Sequence, residues 1–234
     1  MSDSRIIVAL DFSSEKQVVE FVAPLESSMC KLKVGKELFT LAGPVLVRQL
    51  IDKGFDVFLD LKFHDIPNTV ARACKVAADM GVWMINVHAL GGRNMLLAAR
   101  EALEGNTNRP LLIAVTILTS MGQQDLEEIG LSGNPEDNVL RLASLTKDAG
   151  LDGVVCSSRE VSKLRLAQGE TFTLVTPGIR PSGSDAGDQK RIMTPTDAIK
   201  AGSNYLVIGR PITQSNDPVQ TLTKINSEIA AFSM

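Results

Sequence analysis

Short apolar runs recur along the whole chain and predict eight strands, at residues 6–10, 30–34, 57–61, 82–87, 111–115, 153–156, 172–175 and 205–208. Several are rich in β-branched residues and almost continuously apolar, the pattern of strands covered on both faces. Helix-period segments lie between them. Ser14 opens one over 15–24, Pro67 and Asn68 open 69–80, Gly92 precedes 94–103, and 136–149 follows Pro135. Asp217 as N-cap and Pro218 at the first helical position open the last, 219–230. Each strand–helix unit takes roughly 29 residues, the size of a βα repeat.

Eight strands alternating with helices, without a linker or a break in composition, predict one (β/α)8 TIM barrel domain over residues 1–234. A doubly wound open sheet is the alternative. It would carry G-x-G-x-x-G after its first strand, where this chain has Asp11-Phe12-Ser13-Ser14.

In a barrel the rim at the C-terminal ends of the strands carries the chemistry. The first strand ends in Asp11, and the second carries Lys31 and Lys33. The third runs Phe58-Leu59-Asp60-Leu61-Lys62-Phe63-His64-Asp65, and the fourth ends in Asn86 and His88. Period two puts Asp60 and Lys62 on one side of their strand, facing the barrel interior. A solvated surface pair is the ordinary reading of such a triplet. At the end of an almost apolar strand, a built site is the better one. Flanking carboxylates favour the ammonium form, so Lys62 reads as a proton donor or electrostatic anchor rather than a Schiff-base nucleophile. Lys33 is placed to meet Asp60 and extend an alternating Lys–Asp–Lys–Asp row.

A phosphate signal stands on the loops after the last two strands, where barrels often bind that group. One reads Pro177-Gly178-Ile179-Arg180 and the other Ile208-Gly209-Arg210. Glycine lets backbone N–H groups approach an anion, and arginine adds bidentate charge-assisted bonds. The polar stretch from Pro181 to Gln189 reads either as a surface loop or as a lid closing over the phosphate. His88 reads as a hydrogen-bonded supporting residue rather than a ligand or base, and His64 as a hydrogen-bonding strut beside Asp65. Neither histidine has a second His or Cys at metal spacing.

Composition narrows the classes. The 24 Lys and Arg against 27 Asp and Glu give a formal charge of −3, and aromatic residues make up 4%. Neither a nucleic-acid surface nor an anionic membrane is favoured by such a chain. Three widely spaced cysteines, Cys30, Cys74 and Cys156, read as buried thiols in a reducing compartment. The first apolar run is too short for a signal-peptide core, and none is long enough to span a bilayer, so a cytoplasmic location is expected.

The residues from Asp60 to Thr69, D-L-K-F-H-D-I-P-N-T, strongly resemble the signature of the orotidine 5′-phosphate decarboxylase family. So do Ala9-Leu10-Asp11, Lys31-Leu32-Lys33-Val34-Gly35, Val175 to Arg180, and Val207-Ile208-Gly209-Arg210-Pro211. The likeness covers essentially the whole chain, is nearest to the short bacterial form, and departs at no position it makes catalytic. A bare D-x-K-x-x-D is shared with related sugar-phosphate decarboxylases and synthases. The H-D-I-P-N-T continuation and the T-P-G-I-R-P loop with Gln189 set this chain apart from them.

The resemblance implies decarboxylation of orotidine 5′-phosphate to uridine 5′-phosphate and CO2 in pyrimidine synthesis, with no metal and no organic cofactor. It implies that Lys62 protonates C6, Asp60 lies against the departing carboxylate, Lys33 orients Asp60 and touches the ribose, and Asp11 binds a ribose hydroxyl. Thr119 and Ser120 would meet the pyrimidine edge; Pro177, Arg180, Gln189, Gly209 and Arg210 the phosphate region. Asp65, Ile66 and Thr69 would complete the site of a partner subunit in a homodimer. Two other readings stand beside it: a metal-dependent sugar-phosphate decarboxylase, and a non-catalytic nucleotide-binding barrel.

Overall fold

The computed structural model describes residues 4–106, 108–181 and 193–232. Eight parallel strands close in chain order: β1 (Ile6–Ala9), β2 (Lys31–Gly35), β3 (Val57–Phe63), β4 (Met84–His88), β5 (Leu111–Val115), β6 (Gly153–Val155), β7 (Thr173–Thr176) and β8 (Tyr205–Ile208). β1 pairs with β8 as well as with β2, which completes the barrel and excludes the open sheet.

The helices are α1 (Glu15–Val22), α2 (Lys36–Asp52), α3 (Pro67–Asp79), α4 (Gly92–Glu101), α5 (Gln123–Glu128), α6 (Pro135–Asp148), α7 (Val161–Gln168), α8 (Pro195–Ala201), α9 (Arg210–Thr213) and α10 (Pro218–Ala230). Ser14, Asn134, Thr194 and Asp217 cap α1, α6, α8 and α10 through their side chains. The expected helices appear with ends shifted by a few residues. α2, α5, α7, α8 and α9 are additional to them. α2 bends at Gly43, whose φ of 63° lies in the left-handed region, and Pro44 follows it. That interruption hides its periodicity in the sequence. No helix among the described residues is long and apolar enough to cross a membrane.

Two apolar layers hold the barrel. Ile6, Val8, Leu32, Val34, Leu59 and Ile85 point outward into the shell shared with the helices. Ile7, Phe58, Met84, Ile113 and Val175 point inward and fill the lower barrel, so it is a packed core rather than a pore. The register Ile7↔Lys31 and Ala9↔Lys33 separates the two lysines of β2. Lys33 reaches the C-terminal rim. Lys31, read with the rim in the sequence, lies instead at the opposite mouth, buried, 2.6 Å from Asp56 and 4.5 Å from the Trp83 ring centre. The apolar plug therefore sets the floor of whatever sits above it.

Candidate active site

Four charged side chains alternate in sign across the rim of β1, β2 and β3. Lys33 Nζ stands 3.5 Å from Asp11 Oδ1 and 3.4 Å from Asp60 Oδ2, and Lys62 Nζ stands 2.6 Å from Asp60 Oδ1. The row is therefore Asp11–Lys33–Asp60–Lys62. Asp65, which the resemblance gives to the site of a partner subunit, is not in this row. It lies exposed beyond the strand, where its Oδ1 accepts the Ile66 N–H at 2.6 Å.

Lys33 and Asp60 are each 9% exposed. Burial alone pushes the Asp60 carboxyl up. The nearby ammoniums of Lys33 and Lys62 and hydrogen bonds from Lys62 and Asn86 outweigh it and hold the group below the usual carboxylate range. Asp60 is thus a fixed negative charge in a nearly buried wall. Gly35 makes room for the row: a Cβ there would fall 3.2 Å from Lys33 Nζ.

Asp60 and Lys62 share a side, as period two requires, but the strand between them is not regular. Lys62 has φ 54°, the one non-glycine residue among those described with positive φ. Such a backbone costs about 1–2 kcal/mol outside glycine. The pairing of β3 with β4 slips here: Leu59 faces Ile85 and Phe63 faces Val87, so three residues of β3 stand against Asn86 alone. The Asn86 side chain fills the gap. Its Oδ1 accepts the Lys62 backbone N–H at 2.8 Å, and its Nδ2 donates to Asp60 Oδ1 at 2.7 Å. Sequence reasoning noted Asn86 at a strand end and gave it no role.

A cavity of about 200 Å³ opens beside the row. Lys33, Asp60 and Lys62 form its charged wall, Phe58 is its floor, and Val115, Ile117, Leu118, Val155 and Val207 give an apolar flank. Thr119 and Pro177 also line it, whereas Ser120 lies exposed in the adjoining turn and outside the lining. The apolar flank was absent from the sequence reading, although strand-end position would have found most of it.

The loops after β7 and β8 carry the expected arginines. Arg180 is buried and its Nη1 donates to its own Ile179 carbonyl at 3.0 Å. Arg210 is exposed at the first residue of α9, behind Gly209. A Cβ on Gly209 would stand 3.6 Å from Asp11 Oδ2, so this loop and the charged row adjoin. Gln189, and the lid read from Pro181 to Gln189 beyond Pro181 itself, lie outside the described residues.

Both histidines differ from expectation. His64 makes no side-chain hydrogen bond among the described residues and faces His88 with 5.5 Å between ring centres. Nδ1 of His88 is buried and finds no partner among the described residues. Burial first, then the neighbouring His64, Lys36 and Lys62, lower His88 to about 4 against the opposing pull of Asp60. Among the described residues, no hydrogen bond holds either ring.

A model of the orotidine 5′-phosphate decarboxylase / HUMPS family matches residues 4–225. The chain belongs to this family. An orotidine 5′-phosphate decarboxylase of Nitrosomonas eutropha is 62% identical over 231 residues, 99% of each chain. Another, of Hydrogenovibrio crunogenus, is 60% identical over 227 residues, 97% of this chain and 96% of its own. Among solved structures, the orotidine 5′-phosphate decarboxylase of Lactobacillus acidophilus aligns with a TM-score of 0.87 at 39% identity, covering 97% of this chain and 99% of that one.

For a member of the orotidine 5′-phosphate decarboxylase family, the geometry has a direct chemical sense. An apolar cleft can take a planar ring, while the adjoining wall offers a fixed ammonium beside a fixed carboxylate. Charge that develops on a ring atom near Lys62 would meet a preorganised cation.

Proposed function

We propose that this chain decarboxylates orotidine 5′-phosphate to uridine 5′-phosphate and CO2 in pyrimidine synthesis, with Lys62 as the proton donor. The observation that carries the reading is the Lys62–Asp60 pair, 2.6 Å apart on the charged wall of the cavity. The pyrimidine enters the apolar cleft with its carboxyl-bearing carbon against that pair. The bond from C6 to the carboxylate breaks, its electron pair stays on C6, and CO2 leaves. A proton from Lys62 Nζ then completes the new C6–H bond. The ring offers an sp² carbanion little resonance relief, so electrostatics must supply much of the ~8–23 kcal/mol by which enzymes lower barriers. Asp60 meets the departing carboxylate, and repulsion there is not the larger part of the effect.

The remaining residues hold the substrate. Lys33 orients Asp60 and touches the ribose, and Asp11 takes a ribose hydroxyl. Thr119 and Ser120 meet the pyrimidine edge, and Pro177, Arg180, Gln189, Gly209 and Arg210 form the phosphate region. Phosphate is remote from C6, so its binding energy can be used in the transition state. A second copy of the chain contributes Asp65, Ile66 and Thr69. Their exposure supports this: Ile66 is 67% exposed, and Leu41, Val45 and Val76 on the neighbouring helices α2 and α3 are exposed too. The setting is the cytoplasm, where three buried free thiols remain reduced.

The test follows pyrimidine absorbance as purified protein meets orotidine 5′-phosphate in EDTA. Turnover that survives chelation and disappears in Lys62→Ala supports the reading. Loss on chelation alone favours a metal-dependent decarboxylase of sugar phosphates. Nucleotide binding without turnover favours the non-catalytic barrel.

A further inference from the structure

The irregularity in β3 has one side chain behind it. Lys62 cannot take its left-handed backbone and keep an ordinary ladder with β4, because three residues of β3 are set against one. Its N–H needs another acceptor inside a buried sheet, and Asn86 Oδ1 is that acceptor at 2.8 Å. The same amide turns its donor toward Asp60 Oδ1, the oxygen that also receives the Lys62 ammonium. Asn86 is 0% exposed, so water cannot replace either bond.

We propose that Asn86 is a positioning residue for the decarboxylation, its one amide fixing the Lys62 backbone and the Asp60 carboxylate in a single register. This rests on the reading that Asp60 and Lys62 perform the chemistry. Both halves of the amide are needed. An acceptor without a donor leaves Asp60 one bond short, and a donor without an acceptor frees the strained backbone at Lys62. The consequence is specific. Loss of Asn86 should misplace the ammonium relative to C6 while leaving the ribose and phosphate contacts of Asp11 and Arg210 intact.

Two variants test this. Asn86→Leu keeps the approximate volume and removes both bonds. It should lower kcat about 100-fold, the scale of a misplaced reacting group, with KM within about fivefold. Asn86→Asp keeps the acceptor but sets a second carboxylate on Asp60. The groups bonded to position 86 are the Asp60 carboxylate and the Lys62 N–H on β3; Lys33 stands on the other oxygen of Asp60, and His88 follows two residues along β4. Ile113, its neighbour on β5, is apolar. Two carboxylates at such a distance favour sharing one proton, and a protonated carboxyl reproduces the donor and acceptor of the amide. Activity of Asn86→Asp should therefore climb toward the parent as pH falls, whereas Asn86→Leu stays uniformly low.

Binding of uridine 5′-phosphate reports folding in each case, and Lys62→Ala serves as control. If Lys62→Ala is inactive but Asn86→Leu turns over within about threefold of the parent, the inference fails and the proposed function stands. If Lys62→Ala remains active, the proposed function itself fails. Should Asn86→Leu not fold, the pH profile of Asn86→Asp decides alone: a profile parallel to the parent's overturns the positioning role.

Discussion

Replacing Lys62 by glycine and by alanine should separate the backbone at this position from its ammonium. Both changes remove the ion pair with Asp60, and on the proposed mechanism both remove the proton donor. They differ in what they ask of a backbone held at φ 54°. Alanine retains the left-handed penalty of about 1–2 kcal/mol, and glycine does not. Against that, glycine loses more freedom on folding, roughly 0.5–1 kcal/mol elsewhere in a strand or helix. The balance leaves glycine ahead by about 1 kcal/mol, a reversal of the usual order. For a chain of this size such a difference moves the melting temperature by about 2–4 °C. Calorimetry of the two purified variants, without ligand and at one pH, reads it directly. If Lys62→Gly melts at or below Lys62→Ala, the strained backbone is relaxed in solution and the reasoning from φ is refuted.

Arg210→Ala should weaken turnover of the phosphorylated substrate and leave a substrate lacking phosphate almost unaffected; equal damage to both would make Arg210 structural. On the proposed dimer with shared sites, mixing Lys62→Ala chains with Asp65→Ala chains and letting subunits exchange should recover about a quarter of parental sites, since half of such dimers would be mixed and each mixed one would have one intact site. No recovery after demonstrated exchange would exclude a shared site. Asp60 has a lowered folded pKa, so its stabilisation is present above the unfolded value of about 3.9 and lost as pH falls through the folded one. Asp60→Asn should flatten the acid decline of the melting temperature, and an unchanged decline would assign acid sensitivity to other carboxylates.

The barrel was legible because strands covered on both faces must be almost wholly apolar, and eight such runs at even spacing leave few alternatives. Helices were legible where a cap or an unbroken period marked them. α2 was not, since Gly43 and Pro44 interrupt its pattern. α7 (Val161–Gln168) follows Glu160, which gives it no side-chain cap, and α9 is a single turn. α8 carried a usable signal in Thr194, Pro195 and Asp197, the type that exposed α10. In the site, Asp60 and Lys62 could be paired from period two alone. Asn86 could not, because its partners follow from a slip between two strands, and a slip has no period. The position of Asp65 was legible, since three residues beyond Lys62 carry the chain past the strand end, and it lies exposed there.

The charges along the rim explain why so few groups suffice on the proposed mechanism. Two carboxylates and two ammoniums make the row neutral before substrate arrives. On that mechanism the substrate's carboxylate brings one negative charge to the row, nearest Asp60, while the charge of its phosphate is held apart from the row. On the proposed mechanism the carboxylate's charge moves onto C6 and toward Lys62 as CO2 departs. The wall therefore becomes more favourable as the reaction proceeds, with no proton moved until the carbanion exists. This works only if the two ends of the pair stay distinct. A free Lys62 ammonium would swing to neutralise the substrate carboxylate and stabilise the ground state as much as the transition state. Three restraints oppose that swing: the bond to Asp60, the left-handed backbone, and the Asn86 amide that joins them.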